Sequence, residues 1–385
     1  MPVAGQAAVG TITAMTPINA FLLEHGLRIA GNPCVSPDFC LDWKGLSARL
    51  RSGEKPAETP LKRYPLSRFA TAAGTWELVE DGHGDHGWIL EPVKGKTGKS
   101  EKSETSKSVV VGKVSDGIAI SEGRSAFPAT WSNLLALKNL ILEHDPESSI
   151  FPAARGSLQT SSIGVGARFT TLHWPAVEWA MAALGTSLTA NQNSIPRELV
   201  YDVDEMLADR LDKVPFPFIG GEVPEGHQGQ SVEGMSHGAV LSKLKTGFHR
   251  HRLAWGFNAD HQPIGGKFDA REDRLVTGCL LASYITFDLS PELAATTAPA
   301  KPAAWVAEHV PAAIVAKVKA RVAEAGVKLK ESELAELLAR VWPAMAKMQA
   351  RDRKYAAARE QAFVPAGRAY FRELSIDELP GLTTP

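Results

Sequence analysis

Hydrophobic and polar positions in the C-terminal half of the chain change their spacing in a definite order. Residues 253–257 form a short apolar run that is typical of a buried strand, and three of the four residues that follow it at 258–261 are polar. A Pro and two glycines at 263–266 predict a turn. Apolar residues then recur at helical spacing over 275–280, and 283–288 is rich in aromatic and β-branched residues. The pattern predicts a strand–loop–helix–strand unit with parallel strands.

The polar segment of this unit follows the C-terminal end of its first strand, the edge where parallel α/β folds place their chemistry. His261 offers an imidazole nitrogen to a divalent metal, and Asp260 can accept a proton or add a charge. The alternative is that Asp260 caps the turn and His261 is an ordinary polar loop residue. The dipeptide by itself favours that alternative.

Two more segments pair a short strand with polar side chains. The Gly-rich stretch 161–169 contains Arg168, whose guanidinium either clamps a substrate carboxylate or is an ordinary surface group. Residues 187–190 predict a strand that runs into the amides and hydroxyl of 191–194, including Gln192. These side chains suit hydrogen bonding to a polyhydroxylated ligand, but they are equally explained as a turn with Ser194 as a helix N-cap.

The N-terminal part is predicted to be a small α/β domain over residues 1–154. Strands at 75–79 and 88–90 flank a turn with His83 and His86, for which a solvated turn is favoured over a metal pair. The stretch 94–108 contains no apolar residue and predicts a mobile loop. The remaining chain, 155–385, is expected to form the catalytic domain.

Further elements are predicted along this second domain. The Gly/Pro-rich stretch 214–240 indicates a long loop, and 296–304 indicates an Ala/Pro/Thr linker. Helices are predicted over 311–325, which Gly326 ends, and over 332–363, which Pro343 kinks. A last strand at 369–378 ends in two carboxylates, one of them Glu378.

Composition and charge exclude several classes of protein. The chain has 385 residues, of which 44% are hydrophobic and 22% charged, as in a globular protein. The 42 Lys and Arg residues nearly balance the 43 Asp and Glu residues, which argues against nucleic acid as a partner. No apolar run is long enough for a membrane span, and the N-terminus lacks the pattern of a signal peptide. Three cysteines without metal-type spacing fit a cytoplasmic location.

Five motifs together resemble the tagaturonate/fructuronate epimerase family. The family's members are divalent-metal-dependent (β/α)8 TIM-type barrels that invert C4 of a ketohexuronate. The resemblance therefore implies an isomerase that converts D-fructuronate to D-tagaturonate, with zinc, manganese or nickel as the class of cofactor. In chain order the motifs are GVGAR (164–168), NQNSIPRE (191–198), GFNADH (256–261), YITFDLS (284–290) and SIDELPGLTTP (375–385).

The resemblance also implies roles for individual residues. Asp260 matches the proton acceptor, Glu378 the proton-donating acid and His261 a metal ligand. Arg168, Gln192 and Asp288 match positions assigned to substrate binding. The chain ends before two further metal-ligand histidines of the family, so the expected fold is an incomplete (β/α)8 barrel. The alternative is a catalytically inactive barrel fragment or a sugar-binding remnant.

The reaction explains why such residues are needed. The C4 hydrogen is not adjacent to the C2 ketone, so simple deprotonation at C4 is difficult. A retro-aldol route opens the C3–C4 bond, lets the aldehyde rotate and closes the bond on its other face. An acid–base pair, Asp260 and Glu378, then serves the C4 hydroxyl, and a divalent cation polarises the ketone.

Overall fold

The computed structural model describes residues 38–52, 61–93, 113–154, 162–166, 173–191 and 232–376. Over these ranges the chain is a mixed α/β protein with two five-stranded sheets, the first antiparallel and the second parallel. The loop predicted at 94–108 lies outside the described residues.

The antiparallel sheet belongs to the N-terminal part and has the order β1-β2-β3-β5-β4. Helix α1 covers one of its faces, where Leu46 and Leu50 pack against Val79 and Ile89. Its elements are α1 (Trp43–Ser52), β1 (Lys62–Thr71), β2 (Gly74–Glu80), β3 (His86–Pro92), β4 (Ile118–Ala119) and β5 (Ser125–Pro128), with a 3-10 turn at Ser121–Gly123. The predicted hairpin is confirmed as β2 and β3.

The parallel sheet has the order β10-β9-β8-β7-β6. Its strands are β6 (Ser162–Gly166), β7 (Ser187–Asn191), β8 (Trp255–Pro263), β9 (Tyr284–Asp288) and β10 (Phe371–Ser375). The helices between and before them are α2 (Trp131–His144), α3 (His173–Leu184), α4 (Val232–Thr246), α5 (Glu272–Gly278), α6 (Ser290–Ala295), α7 (Pro302–His309), α8 (Ala312–Glu324) and α9 (Glu331–Ala362). Among the described strands this sheet is open, with β6 and β10 at its edges. The prediction of an α/β fold with parallel strands is confirmed, and the described strands do not close into a barrel.

The two faces of the parallel sheet differ in chemistry because side chains alternate along each strand. On β8 the side chains of Trp255, Phe257 and Ala259 are buried in the main core, as are Ile285 and Phe287 on β9. The intervening positions face the other way and include Asn258 and Thr286, whose Oδ1 and Oγ1 atoms lie 3.0 Å apart. Helices therefore cover an apolar face, and the second face is polar.

One hydrophobic core joins the antiparallel sheet to the covered face of the parallel sheet. It includes Trp76 and Leu78 of β2, Leu137 of α2, Leu241 of α4 and Trp255 of β8. A buried ion pair ties α3 to α4 within this core, with Lys243 Nζ 3.3 Å from Glu178 Oε1. The parallel sheet is thus anchored to the N-terminal part by packed helices.

Several boundaries differ from the sequence predictions. Strand β8 continues through 258–261, where a loop was predicted. Helix α4 begins at Val232, inside the predicted 214–240 loop, and α7 begins at Pro302, inside the predicted linker. Helices α8 and α9 confirm the two predicted C-terminal helices. Gly326 adopts a positive φ of 70° after α8, as a helix-ending glycine does.

The histidine pair of the first hairpin separates into two environments. His83 is exposed, whereas His86 is only 2% exposed and lies 3.2 Å from Glu80 Oε2 through Nε2. The expectation of a solvated turn is therefore wrong for His86, because β3 places its ring in the interior against Phe39. No described helix has the length and apolar character that crossing a membrane requires.

Candidate functional site

A β-bulge shapes the C-terminal end of β8. Ala259 pairs with Ile285 of β9 but Gln262 pairs with Phe287, so Asp260 and His261 together stand opposite the single residue Thr286. A bulge of this kind re-aims side chains and is frequent beside active sites. It brings the side chains of both residues to the edge of the sheet.

His261 has a left-handed backbone, with φ of 42°. This conformation costs an L-residue roughly 1–2 kcal/mol, so surrounding contacts must hold it in place. Gln262 contributes by donating from Nε2 to the carbonyl of Asp260, while its Oε1 accepts from the thiol of Cys279. Gln262 is 1% exposed, so these bonds are shielded from water.

The imidazole of His261 lies between two carboxylates. Its Nδ1 is 3.5 Å from Oδ2 of Asp288, and its Nε2 is 3.8 Å from Oδ1 of Asp260. Asp288 is 2% exposed, and its other oxygen accepts a 3.0 Å hydrogen bond from the backbone N–H of Ser290. The carboxylate of Asp288 is therefore oriented, with one oxygen fixed by the chain and the other facing the imidazole.

The distance between His261 Nδ1 and Asp288 Oδ2 fits two ligands of one cation. Two atoms that are each about 2.1 Å from a tetrahedral metal lie about 3.4 Å apart, close to the observed 3.5 Å. Asp260 lies beside the opposite ring nitrogen, with Oδ1 3.8 Å from Nε2. Within the described ranges no group of three or more His, Cys, Asp or Glu side chains is arranged to hold a metal. The described residues thus supply two ligands, where catalytic zinc sites use three from the protein.

A second polar group lies one layer below on the same face. Thr286 donates a 2.6 Å hydrogen bond to Oε2 of Glu373, and the amide of Asn258 donates to the same oxygen at 3.1 Å. Asn258, Thr286 and Glu373, on three adjacent strands, are called the polar triad below. Sequence reasoning missed Glu373, although its spacing two residues after Phe371 on a strand was a usable signal.

Two buried arginines of α9 bind backbone carbonyls next to strands β8 and β9. Arg351 of α9 is 1% exposed and binds Glu272 and the carbonyl of Pro263 at the end of β8. Arg359, about two helical turns further on, donates to the carbonyls of 279, 280 and 282, which precede β9. Burial raises the pKa of the nearby Cys279 thiol to about 12, so it stays protonated at neutral pH. The two arginines therefore hold β8 and β9 in position, and the candidate site lies on the polar face of the sheet.

The structure brings together three of the six residues that the sequence nominated. Asp260, His261 and Asp288 lie side by side at the C-terminal ends of β8 and β9. Arg168, Gln192 and Glu378 lie outside the described residues. The strand that leads toward Glu378 is confirmed as β10, parallel to β9.

Comparison with known proteins adds no assignment. No family model, curated protein or solved structure matches the chain. The class of protein is therefore defined by the fold and the site alone: an α/β protein with a parallel sheet and a carboxylate–imidazole–carboxylate cluster at the C-terminal edge of that sheet.

Proposed function

We propose that the chain is a divalent-metal-dependent isomerase that epimerises C4 of a ketohexuronate, converting D-fructuronate to D-tagaturonate. The observation that carries the proposal is the bulge of β8, which holds His261 in a left-handed backbone between Asp260 and Asp288. The resemblance of the surrounding motifs to the tagaturonate/fructuronate epimerases supplies the substrate class.

Each of the clustered residues has a role in this proposal. Asp288 and His261 Nδ1 would hold the cation, and a divalent cation there would polarise the substrate's ketone and adjacent hydroxyl. The side chain of Asp260 is 25% exposed, so it can reach a ligand at the edge of the sheet. Asp288, by contrast, is buried and fixed by Ser290, which suits holding rather than proton transfer.

The reaction is a retro-aldol cleavage followed by re-addition. Asp260 takes the proton of the C4 hydroxyl, and the electron pair of the C3–C4 bond moves toward the C2 carbonyl. The C4 aldehyde turns over, the C3–C4 bond forms again on the other face, and an acid returns a proton to the C4 oxygen. Glu378 is the proposed acid, and Arg168 and Gln192 are the proposed contacts to the substrate.

The direct test incubates the full chain with D-fructuronate and Zn²⁺, Mn²⁺ or Ni²⁺ in turn, and follows D-tagaturonate by NMR. We expect conversion with at least one cation, and Asp260→Asn to lower turnover by at least about 100-fold, as loss of a general base does. Asp273→Asn is the matched control because its side chain is 92% exposed on α5. Absence of conversion with all three cations, or normal turnover in Asp260→Asn, would refute the proposal.

A second candidate is a sugar-binding protein without catalysis. The observation that favours it is the count of two convergent metal ligands among the described residues, one fewer than a catalytic zinc site uses. Calorimetric binding of D-fructuronate without any conversion would support this candidate, whereas conversion excludes it.

A further inference from the structure

The polar triad is short of hydrogen-bond donors. Thr286 Oγ lies 2.6 Å from Glu373 Oε2 and 3.0 Å from Asn258 Oδ1, but a hydroxyl has only one hydrogen to donate. The shorter bond to the charged oxygen takes that hydrogen, because hydrogen bonds to a carboxylate are the stronger ones. Asn258 Oδ1 is then left as an acceptor beside another acceptor.

Glu373 offers a second acceptor on the same face. In the part of the chain that the structure describes, both hydrogen bonds to Glu373 end on Oε2 and none ends on Oε1. The side chain is exposed, although Oε2 is held by Asn258 and Thr286. The carboxylate is thus fixed in direction, and one of its oxygens is directed away from the protein bonds. A ligand that fits this surface must bring hydrogen-bond donors.

An aromatic surface lies next to the triad. Tyr284 and Phe371 precede Thr286 and Glu373 by two residues, so they share the same face, and their ring centroids are 4.9 Å apart. Gly256 gives the tyrosine room, since a Cβ there would lie 3.0 Å from Tyr284 Cε2. Both rings are half-buried, so each keeps an apolar area open to a ligand.

The triad and the imidazole cluster are close enough for one small ligand. Thr286 and Asp288 are two residues apart on β9, which at a rise of about 3.3 Å per residue places their layers about 6.6 Å apart. A six-carbon sugar spans that distance. Such a sugar has hydroxyl groups that donate hydrogen bonds, and it has an apolar carbon face that can lie against an aromatic ring.

We propose that Asn258, Thr286 and Glu373 form a clamp in which Glu373, oriented by the buried side chains of Asn258 and Thr286, binds hydroxyl groups of a six-carbon keto sugar, with Tyr284 and Phe371 beneath the sugar's carbon chain. The proposal deepens the epimerase proposal, on which it rests for the substrate class. The clamp takes the hydroxylated part of the sugar. A substrate carboxylate lies away from Glu373, because two carboxylates repel each other.

The test compares two probes by calorimetry on the full chain: D-fructuronate, and D-fructose, which has the ketone and hydroxyls but no carboxylate. Glu373→Gln and Thr286→Val each weaken the binding of both probes by at least about tenfold. This is the loss of affinity expected when hydrogen bonds to a charged group are removed. Thr286→Ser keeps the hydroxyl, so its affinity for both probes stays close to that of the unaltered chain. Glu336→Gln is the matched control, because Glu336 is exposed on α9. Circular dichroism confirms that the variants are folded.

The outcomes separate the clamp from the epimerase activity. If neither sugar binds the unaltered chain, or if Glu373→Gln leaves both affinities unchanged, the clamp is wrong. If Glu373→Gln tightens D-fructuronate and leaves D-fructose unchanged, Glu373 only repels the carboxylate, and the clamp is also wrong. A tenfold loss of affinity in Glu373→Gln, without any conversion of D-fructuronate by the unaltered chain, supports the clamp and contradicts the epimerase proposal. Conversion with an unaltered KM in Glu373→Gln supports the epimerase proposal and contradicts the clamp.

Discussion

Replacing Glu178 by Leu is expected to destabilise the protein by about 3–5 kcal/mol, because it leaves the ammonium of Lys243 buried without its carboxylate. Lys243 is 0% exposed and Glu178 1% exposed, and Lys243 Nζ lies 3.8 Å from the centre of the Trp255 ring. Burial lowers the pKa of Lys243, although the Glu178 charge and hydrogen bond act against that shift.

The free-energy cost of burying the Lys243 charge has an upper limit, because the ammonium can lose its proton. A lysine with an ordinary pKa of 10.5 costs about 1.36 × (10.5 − 7), or about 5 kcal/mol, to neutralise at pH 7. Ser242 and Thr246 also lose their shared acceptor on Glu178 Oε2. A Glu178→Leu, Lys243→Met double variant removes both charges and is expected to regain most of the loss, since an apolar pair of similar volume replaces a buried ion pair at little cost.

Urea unfolding followed by tryptophan fluorescence measures these differences, since Trp174 and Trp255 both lie against Lys243. Glu324→Ala is the control: its pair with Arg321 is exposed, with 73% and 68% of the side chains accessible, and is worth less than about 1 kcal/mol. A loss below about 1 kcal/mol in Glu178→Leu, or a double variant no better than the single one, would refute the reasoning.

Three further predictions concern His86, His261 and Asn139. Burial lowers the pKa of His86 from 6.5, so its contribution to stability is present above pH 6.5 and is lost as the pH falls below it. Urea unfolding should therefore give a lower free energy of unfolding at pH 5.5 than at pH 7.5, and His86→Gln should reduce that difference. His261→Gly should be about 1 kcal/mol more stable than His261→Ala, because glycine adopts the φ of 42° without strain; equal thermal midpoints would contradict this. Asn139 donates to the carbonyl of Ala362 and accepts from the N–H of Val364, so Asn139→Ala should cost about 1–3 kcal/mol, and hydrogen exchange unaltered at Val364 would show that the bonds do not matter.

The sequence revealed the parts of the fold that depend on local periodicity. The apolar spacing in α8 and α9 is regular over several turns, so their positions were predicted to within about one residue. The βαβ unit of β8, α5 and β9 was likewise recognisable from apolar and β-branched runs.

The remainder depends on tertiary contacts. Asn258 and Asp260 are polar, so the sequence predicted a loop there, but pairing with β7 and β9 continues the strand through them. The bulge that sets both Asp260 and His261 opposite the single residue Thr286 is a property of that pairing and has no signature in the dipeptide. Glu373 was overlooked because its role comes from Asn258 and Thr286, 115 and 87 residues away in the chain. His86 was assigned to solvent because the ring that covers it, Phe39, belongs to a distant segment.

The most direct test of the central claim is the binding of a divalent cation to the edge of the parallel sheet. Zn²⁺ and Mn²⁺ are titrated separately into the full chain, into His261→Ala and Asp288→Asn, and into His83→Ala, which alters an exposed histidine far along the chain. We expect one cation per chain, an affinity at least about tenfold weaker in the first two variants, and no change in the third. If His261→Ala and Asp288→Asn bind the cation as tightly as the unaltered chain, the metal site proposed here is wrong.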